Sequence, residues 1–153
     1  MPHIHDKIDF TVEVFVVFKN RVLLRFHDKY HLWLSVGGHI ELDEDPNQAA
    51  IREVKEEVGL DIGVDTDLKL PTEVNDVSYR ELIPPSFLNR HRINESHEHV
   101  TLTYFAKSNT DKIIPENKDD RWVWVTLKDL EKMPDIKLRV KNYAKRALEQ
   151  LSK

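Results

Sequence analysis

The chain predicts a mixed α and β fold, with a mixed sheet lying between helices. Three observations point there. Short runs rich in Val, Phe and Leu have strand length and strand alternation. One amphipathic helix interrupts them behind the glycine pair Gly37-Gly38, and a second amphipathic stretch closes the chain. Strands flanking a central helix, with another helix at the end, pack most simply as a sheet covered on both faces.

Phe10 to Phe18 reads as the first strand, with Val12, Val14, Val16 and Phe18 on one face, and Phe10, Phe15 and Val17 making the other positions largely apolar too. A strand apolar on both sides belongs inside a covered sheet. Lys19-Asn20 is a tight turn, and Arg21 to Phe26 returns as a second strand. After a polar connection, Leu32 to Val36 is a short strand that delivers Gly37 and Gly38. Ile40 and Leu42 then alternate with polar residues towards a helix over about 46–58. Between Leu60 and Pro85 the pattern is ambiguous: Leu68, Leu70, Val74 and Val77 suit a strand or irregular structure, and Pro71, Pro84 and Pro85 punctuate the segment. Ser86 to Glu95 is polar. Val100 to Lys107 alternates as a strand, 109–120 is a polar loop, and Arg121 to Thr126 is a strand with Trp122 and Trp124 in the core. A short helical turn over 127–133 precedes an amphipathic helix over 135–151, apolar at Leu138, Val140, Tyr143, Ala144, Ala147, Leu148 and Leu151.

Composition bounds the function. A chain of 153 residues predicts one domain over 1–153, with 40% hydrophobic and 33% charged residues typical of a globular protein. The formal net charge of −4 supplies no basic field for a nucleic-acid partner. There is no cysteine, which excludes disulfides, thiolate catalysis and cysteine-type zinc sites, and suits a reducing cytoplasm. Residues 1–7 have no apolar signal core, and the early run Val14 to Phe18 is far too short to span a bilayer, so no membrane partner is expected.

The central helix carries the chemistry. Asp45 suits its N-cap, Pro46 its first position, and Gln48 reaches back as in a capping box. Gly59 suits a left-handed stop. Ala50, Ile51, Val54 and Val58 form the core-facing arc, and Glu53, Glu56 and Glu57 crowd the arc beside it at i, i+3 and i+4. Three carboxylates this close repel one another. A hard divalent cation relieves that repulsion, because Mg²⁺ takes carboxylate oxygens together with substrate phosphates. An ordinary solvated helix face is the plain alternative.

The spacing resembles the Nudix box, the signature of the Nudix hydrolases. Gly38 is followed after five residues by Glu44, after seven more by Arg52-Glu53, then Val54, one residue, Glu56-Glu57, one residue, Gly59 and Leu60. Every position of the pattern is met, over 23 of the 153 residues. The resemblance implies a single domain with an α/β/α sandwich, and an enzyme that hydrolyses a diphosphate linked to another moiety, most often a nucleoside. It implies Mg²⁺ or Mn²⁺ as cofactor, a small-molecule nucleotide as substrate, and a homodimer as a common state. Glu56 and Glu57 become the expected direct metal ligands, and Glu53 a further ligand or the base that takes the water's proton. The carbonyl of Gly37 or Gly38 is an added ligand. Arg52 is expected to hold the loop by pairing with Glu44 or a box carboxylate. Catalytic roles therefore fall to Glu53, Glu57 and Arg52.

Many Nudix enzymes complete the metal cluster with a glutamate far beyond the box; Glu98 is the first choice here and Glu95 the second. A polar strand entrance is the plain reading of the same residues. His97 and His99 share a strand face, but two histidines fall short of the three or four ligands zinc normally takes. Arg25, Arg90, Arg21 and Arg92 are candidates to grip phosphate, Arg25 first because its strand lies near the box. Trp33, Tyr79, Phe87 and Tyr30 offer rings for a base, with core packing equally expected of Trp33. The alternative function is a non-catalytic, nucleotide-sensing Nudix domain. Such domains often lack box glutamates, whereas none is missing here. A prenyl diphosphate isomerase of the same fold would use a cysteine, which this chain does not have.

Overall fold

The computed structural model describes residues 4–64, 70–71 and 77–152. Its frame is strand β1 (Ile8–Phe18), which runs parallel to β7 (Glu98–Ser108) from Ile8↔Glu98 to Val17↔Lys107. Around this pair lie β2 (Arg21–His27), β3 (Leu32–Leu34), β4 (Val36–His39), β5 (Ile62–Val64), β6 (Phe87–Arg92) and β8 (Arg121–Val125), all antiparallel to their neighbours. The sheet runs β3-β2-β1-β7-β5, with β4 on β1, β6 on β7 and β8 on β2. Helix α1 (Pro46–Val58) covers one face; α2 (Leu127–Lys132) and α3 (Leu138–Leu151) cover the other. The result is an α/β/α sandwich around a mixed sheet.

Alternation along β1 splits the core in two. Val12, Val14 and Val16 pack with Ala49, Ala50, Val54 and Val58 of α1, while Phe15 and Val17 pack with Val140, Ala144 and Leu148 of α3. Both faces exclude water there, which is why β1 reads as a continuous apolar run over Val14 to Phe18.

Several boundaries differ from the sequence reading for local reasons. The stretch 32–39 is two strands rather than one. Around Ser35 the chain leaves β2 and joins β1, so Gly37 and Gly38 lie inside a strand, opposite Glu13 and Val12. The polar segment after Ser86 is strand β6, its residues alternating between half-buried and exposed as it pairs with β7. The last helix begins at Leu138, because Pro134-Asp135 forms a turn and Leu138 itself is exposed. Ile62–Val64, unread in the sequence, pairs with Ala106–Ser108. Leu68 and Val74 lie outside the described residues.

Candidate active site

Helix α1 is capped at both ends as its residues require. The Gln48 N–H donates to Asp45 Oδ1 at 2.9 Å, and the Asp45 N–H donates to Gln48 Oε1 at 2.9 Å. Gly59 takes the left-handed conformation at φ 71°. One expected arc is corrected: Ile51 is exposed, and Ala49 and Glu53 are buried instead. The helix is rolled so that Ala49, Glu53 and Glu57, at i, i+4 and i+8, face β4.

That roll depends on the glycine pair. A Cβ on Gly38 would lie 2.2 Å from Glu53 Oε1, and one on Gly37 would lie 2.3 Å from the Val12 carbonyl oxygen. Only bare backbone lets the helix lay a carboxylate on the strand. Glu53 is 4% exposed there, and the Gly37 N–H donates to Glu57 Oε1 at 3.3 Å.

Arg52 fastens the loop to the helix. Its guanidinium donates to Glu44 Oε2 at 2.9 Å from Nε and to Oε1 at 2.6 Å from Nη2. It also reaches Glu53 Oε1 at 2.9 Å, Glu56 Oε2 at 3.1 Å and the His39 carbonyl at 3.0 Å. Hydrogen bonds from Arg52 hold the Glu44 carboxyl below its usual range.

The 109–120 loop closes the other side. The Ile114 N–H donates to the Val58 carbonyl at 2.8 Å, and the Glu116 N–H donates to the Glu57 carbonyl at 2.9 Å. These bonds satisfy carbonyls that the end of α1 leaves open. They also bring Glu116 beside the helix carboxylates. The outcome is a cavity of about 510 Å³ lined by Arg25, His27, Gly37, Glu53, Glu56, Glu57, Glu116, Asn117 and Asp120.

Five carboxylates line this cavity against one guanidinium, Arg25, which is itself paired with Asp120 at 3.2 Å and sits over the Trp122 ring. Burial is the largest cause that pushes Glu57 up to about 7; Arg25 and the Gly37 N–H oppose it, and Glu53 and Glu116 add to it. Burial raises Glu53 as well, against the pull of Arg52. A set of oxygen-only donors that resist ionising together suits a hard divalent cation.

A family model for the Nudix domain matches residues 9–147. The chain belongs to the Nudix family. Among solved structures it is similar to a NUDIX-family hydrolase from Clostridium perfringens, at 33% identity and a TM-score of 0.80, covering 94% of this chain and 97% of that one. It shares its fold with an Ap4A hydrolase of C. elegans (20% identity, TM-score 0.67, 93% and 96% covered). The same holds for a MutT NUDIX hydrolase of Burkholderia pseudomallei (20%, 0.61, 95% and 99%). No curated protein sequence gives a significant match. Nudix family members are hydrolases acting on pyrophosphate bonds, they generally use a divalent metal, and this chain is an enzyme of that class. Among the described residues, no helix is long and apolar enough to cross a membrane.

The Nudix helix and its glycine strand bring Glu53, Glu56, Glu57, Arg52 and Gly38 together, and β2 adds Arg25. Three expected residues lie elsewhere. Glu98 is bound at 2.7 and 2.9 Å by Arg90 of the neighbouring strand. In the sheet register Gly38 is level with Val12 and Leu102, and Glu98 lies four residues earlier on β7. That is roughly 13 Å along the strand. Arg90 is engaged in the same pair. Trp33 packs edge-on against Phe26, 5.1 Å between centroids, beside the core under α3. The glutamate beyond the box that does reach the cavity is Glu116. Its only mark in the sequence is a place in a polar loop, and the loop's bonds to the end of α1 are what position it.

Proposed function

We propose that this Nudix hydrolase cleaves the diphosphate linkage of a nucleoside diphosphate derivative: a nucleoside triphosphate, a nucleotide sugar such as ADP-ribose, or a dinucleoside polyphosphate. The observation that carries the reading is the convergence of Glu53, Glu56, Glu57 and Glu116 on one cavity that also holds Arg25. Mg²⁺ or Mn²⁺ on these carboxylates would offset the negative charge of the diphosphate and lower the pKa of a bound water.

The chain's own groups divide the remaining work. Glu56 and Glu57 face the cavity as ligands, and Glu116 takes the place expected of Glu98. Glu53, buried and held by Arg52, is the fixed carboxylate that orients the attacking water and accepts its proton. Arg25 grips a phosphate oxygen within the same cavity. Arg52 acts as a clamp, setting the position of Glu53 and Glu56. The water's oxygen bonds to one phosphorus, the bridging P–O bond breaks, and the released phosphate carries the bridging oxygen away. Absence of cysteine agrees with action in a reducing cytoplasm, and Nudix proteins are often homodimers.

The test is product release across a panel of canonical and oxidised nucleoside triphosphates, ADP-ribose, NADH and diadenosine polyphosphates, with Mg²⁺, Mn²⁺ or chelator. Metal-dependent release of a nucleoside monophosphate from one class supports the reading. No turnover with any of them, alongside tight nucleotide binding by calorimetry, overturns it in favour of a sensor.

A further inference from the structure

Odd-numbered residues of β1 and β7 face α3, as Phe15, Val17 and Phe105 show. On the same face, beyond the cover of that helix, Asp9 lies beside His99 in the parallel register, and Thr11 lies beside Thr101 and opposite His39 of β4. Asp9, His39 and His97 are all buried, at 1%, 7% and 3% exposure. The set is rich in nitrogen and stands on the opposite face of the sheet from the box carboxylates.

We propose that Asp9, His39 and His99 bind a borderline transition-metal cation of the Zn²⁺ class, at a site separate from the catalytic cavity. Each offers one ligand atom, and the three atoms lie within 4.8 Å of one another. Two ligands held tetrahedrally at zinc distances are about 3.4 Å apart. Asp9 Oδ2 stands 3.3 Å from His39 Nε2 and 3.2 Å from His97 Nε2.

The carboxylate is aimed before any ion arrives. The His5 N–H donates to its Oδ1 at 2.7 Å, and the Ile4 N–H donates to Oδ2 at 3.2 Å. His97 is arranged in the same sense. Its Nδ1 is 3.0 Å from the Asp6 carbonyl oxygen, which only accepts, so Nδ1 carries the hydrogen and Nε2 is turned to the cluster. Metal-binding histidines have their tautomer set in this way, and His97 stands beside Asp9 as a further imidazole next to the three ligands. Bound there, the cation would join strands β1, β4 and β7 at one point. Three protein donors leave one tetrahedral position, to be filled by water or by His97 drawn closer.

The test is metal stoichiometry and Co²⁺ spectroscopy on the full chain, stripped with chelator and reloaded. Wild type is expected to take up about one Zn²⁺ per chain after a wash with Mg²⁺ excess, and to give the intense visible bands of tetrahedral Co²⁺. Glu57→Gln should keep both signals. His99→Gln, at a half-buried position that keeps Asp9 and its backbone donors, should weaken Zn²⁺ binding about 100-fold or more while far-UV circular dichroism stays native. His39→Gln is the second variant and should do the same. Zn²⁺ uptake well below one per chain, or equal binding in wild type and both histidine variants, overturns the proposal. Loss of the signals in Glu57→Gln alone overturns it too, by placing the ion at the box.

Discussion

Two clusters of polar side chains flank strand β4, one residue apart, and they differ in every property that selects a ligand. Gly38 backs onto Glu53, in an open cavity of about 510 Å³ whose ionisable wall is almost all carboxylate. His39 joins Asp9 and two further histidines on the other face; Asp9, His39 and His97 are buried and His99 is half-buried. The first has oxygen donors and room for a substrate, which suits a hard cation shared with phosphates. The second brings imidazole donors to a carboxylate, which suits a softer ion. Strand alternation creates the difference: adjacent residues of one short strand serve opposite sides of the sheet.

The comparison can be broken most directly at Glu57. Replacing it with Gln should lower turnover on the order of 10³-fold while the far-UV spectrum stays native. Near wild-type turnover would remove the carboxylate cavity from the chemistry. Gly38→Ala comes next. The added methyl would displace the Glu53 carboxylate, the movable end of a side chain, so the fold should persist while turnover drops about 100-fold. Unchanged kinetics would show that Glu53 need not lie against the strand.

Smaller effects sharpen the assignment of the remote glutamate. Glu116→Gln should cost about 10- to 100-fold in turnover or in Mg²⁺ affinity. Glu98→Gln, which loses only an exposed pair with Arg90, should stay within about twofold. Steady-state kinetics over a Mg²⁺ series distinguishes them, and the reverse ranking would restore Glu98.

The least dramatic test concerns pH. With Glu57 raised to about 7 by burial, the metal-free folded chain holds that proton more tightly than the unfolded one. Its contribution to stability is therefore complete below about pH 4.5 and is lost as pH rises through 7. Glu57→Gln keeps the neutral form throughout. Under chelator, the variant should gain on wild type between pH 5 and 8 by on the order of 2–3 kcal/mol in denaturant melts. A gap independent of pH would mean that Glu57 is ionised from the start.

Much of the box was legible because its determinants are local. The cap at Asp45, the stop at Gly59 and the spacing of Glu53, Glu56 and Glu57 are each settled by neighbours no more than four residues away. Ile51 and Leu138 read as core and proved exposed, because an apolar side chain at helical spacing does not say how far the helix is rolled. Glu98 was chosen, with Glu95 second, and Glu116 was not read at all, because sequence distance says nothing of sheet register and the shift along β7 takes Glu98 away from the cavity.

By itself, the sequence determined the central helix with its caps and charged arc, the strands that are apolar on both faces, the family to which the box belongs, and the absence of any thiol chemistry. Each rests on side-chain periodicity, short-range hydrogen bonding or composition. Tertiary structure alone decided which loop reaches the carboxylates, that Arg25 shares their cavity while Arg90 and Trp33 do not, and that Asp9, His39 and His99 meet. Those contacts join residues far apart along the chain, up to the 95 positions between Arg25 and Asp120. They exist only once β1 lies between β4 and β7 in one register, with α1 rolled so that Glu53 rests on Gly38.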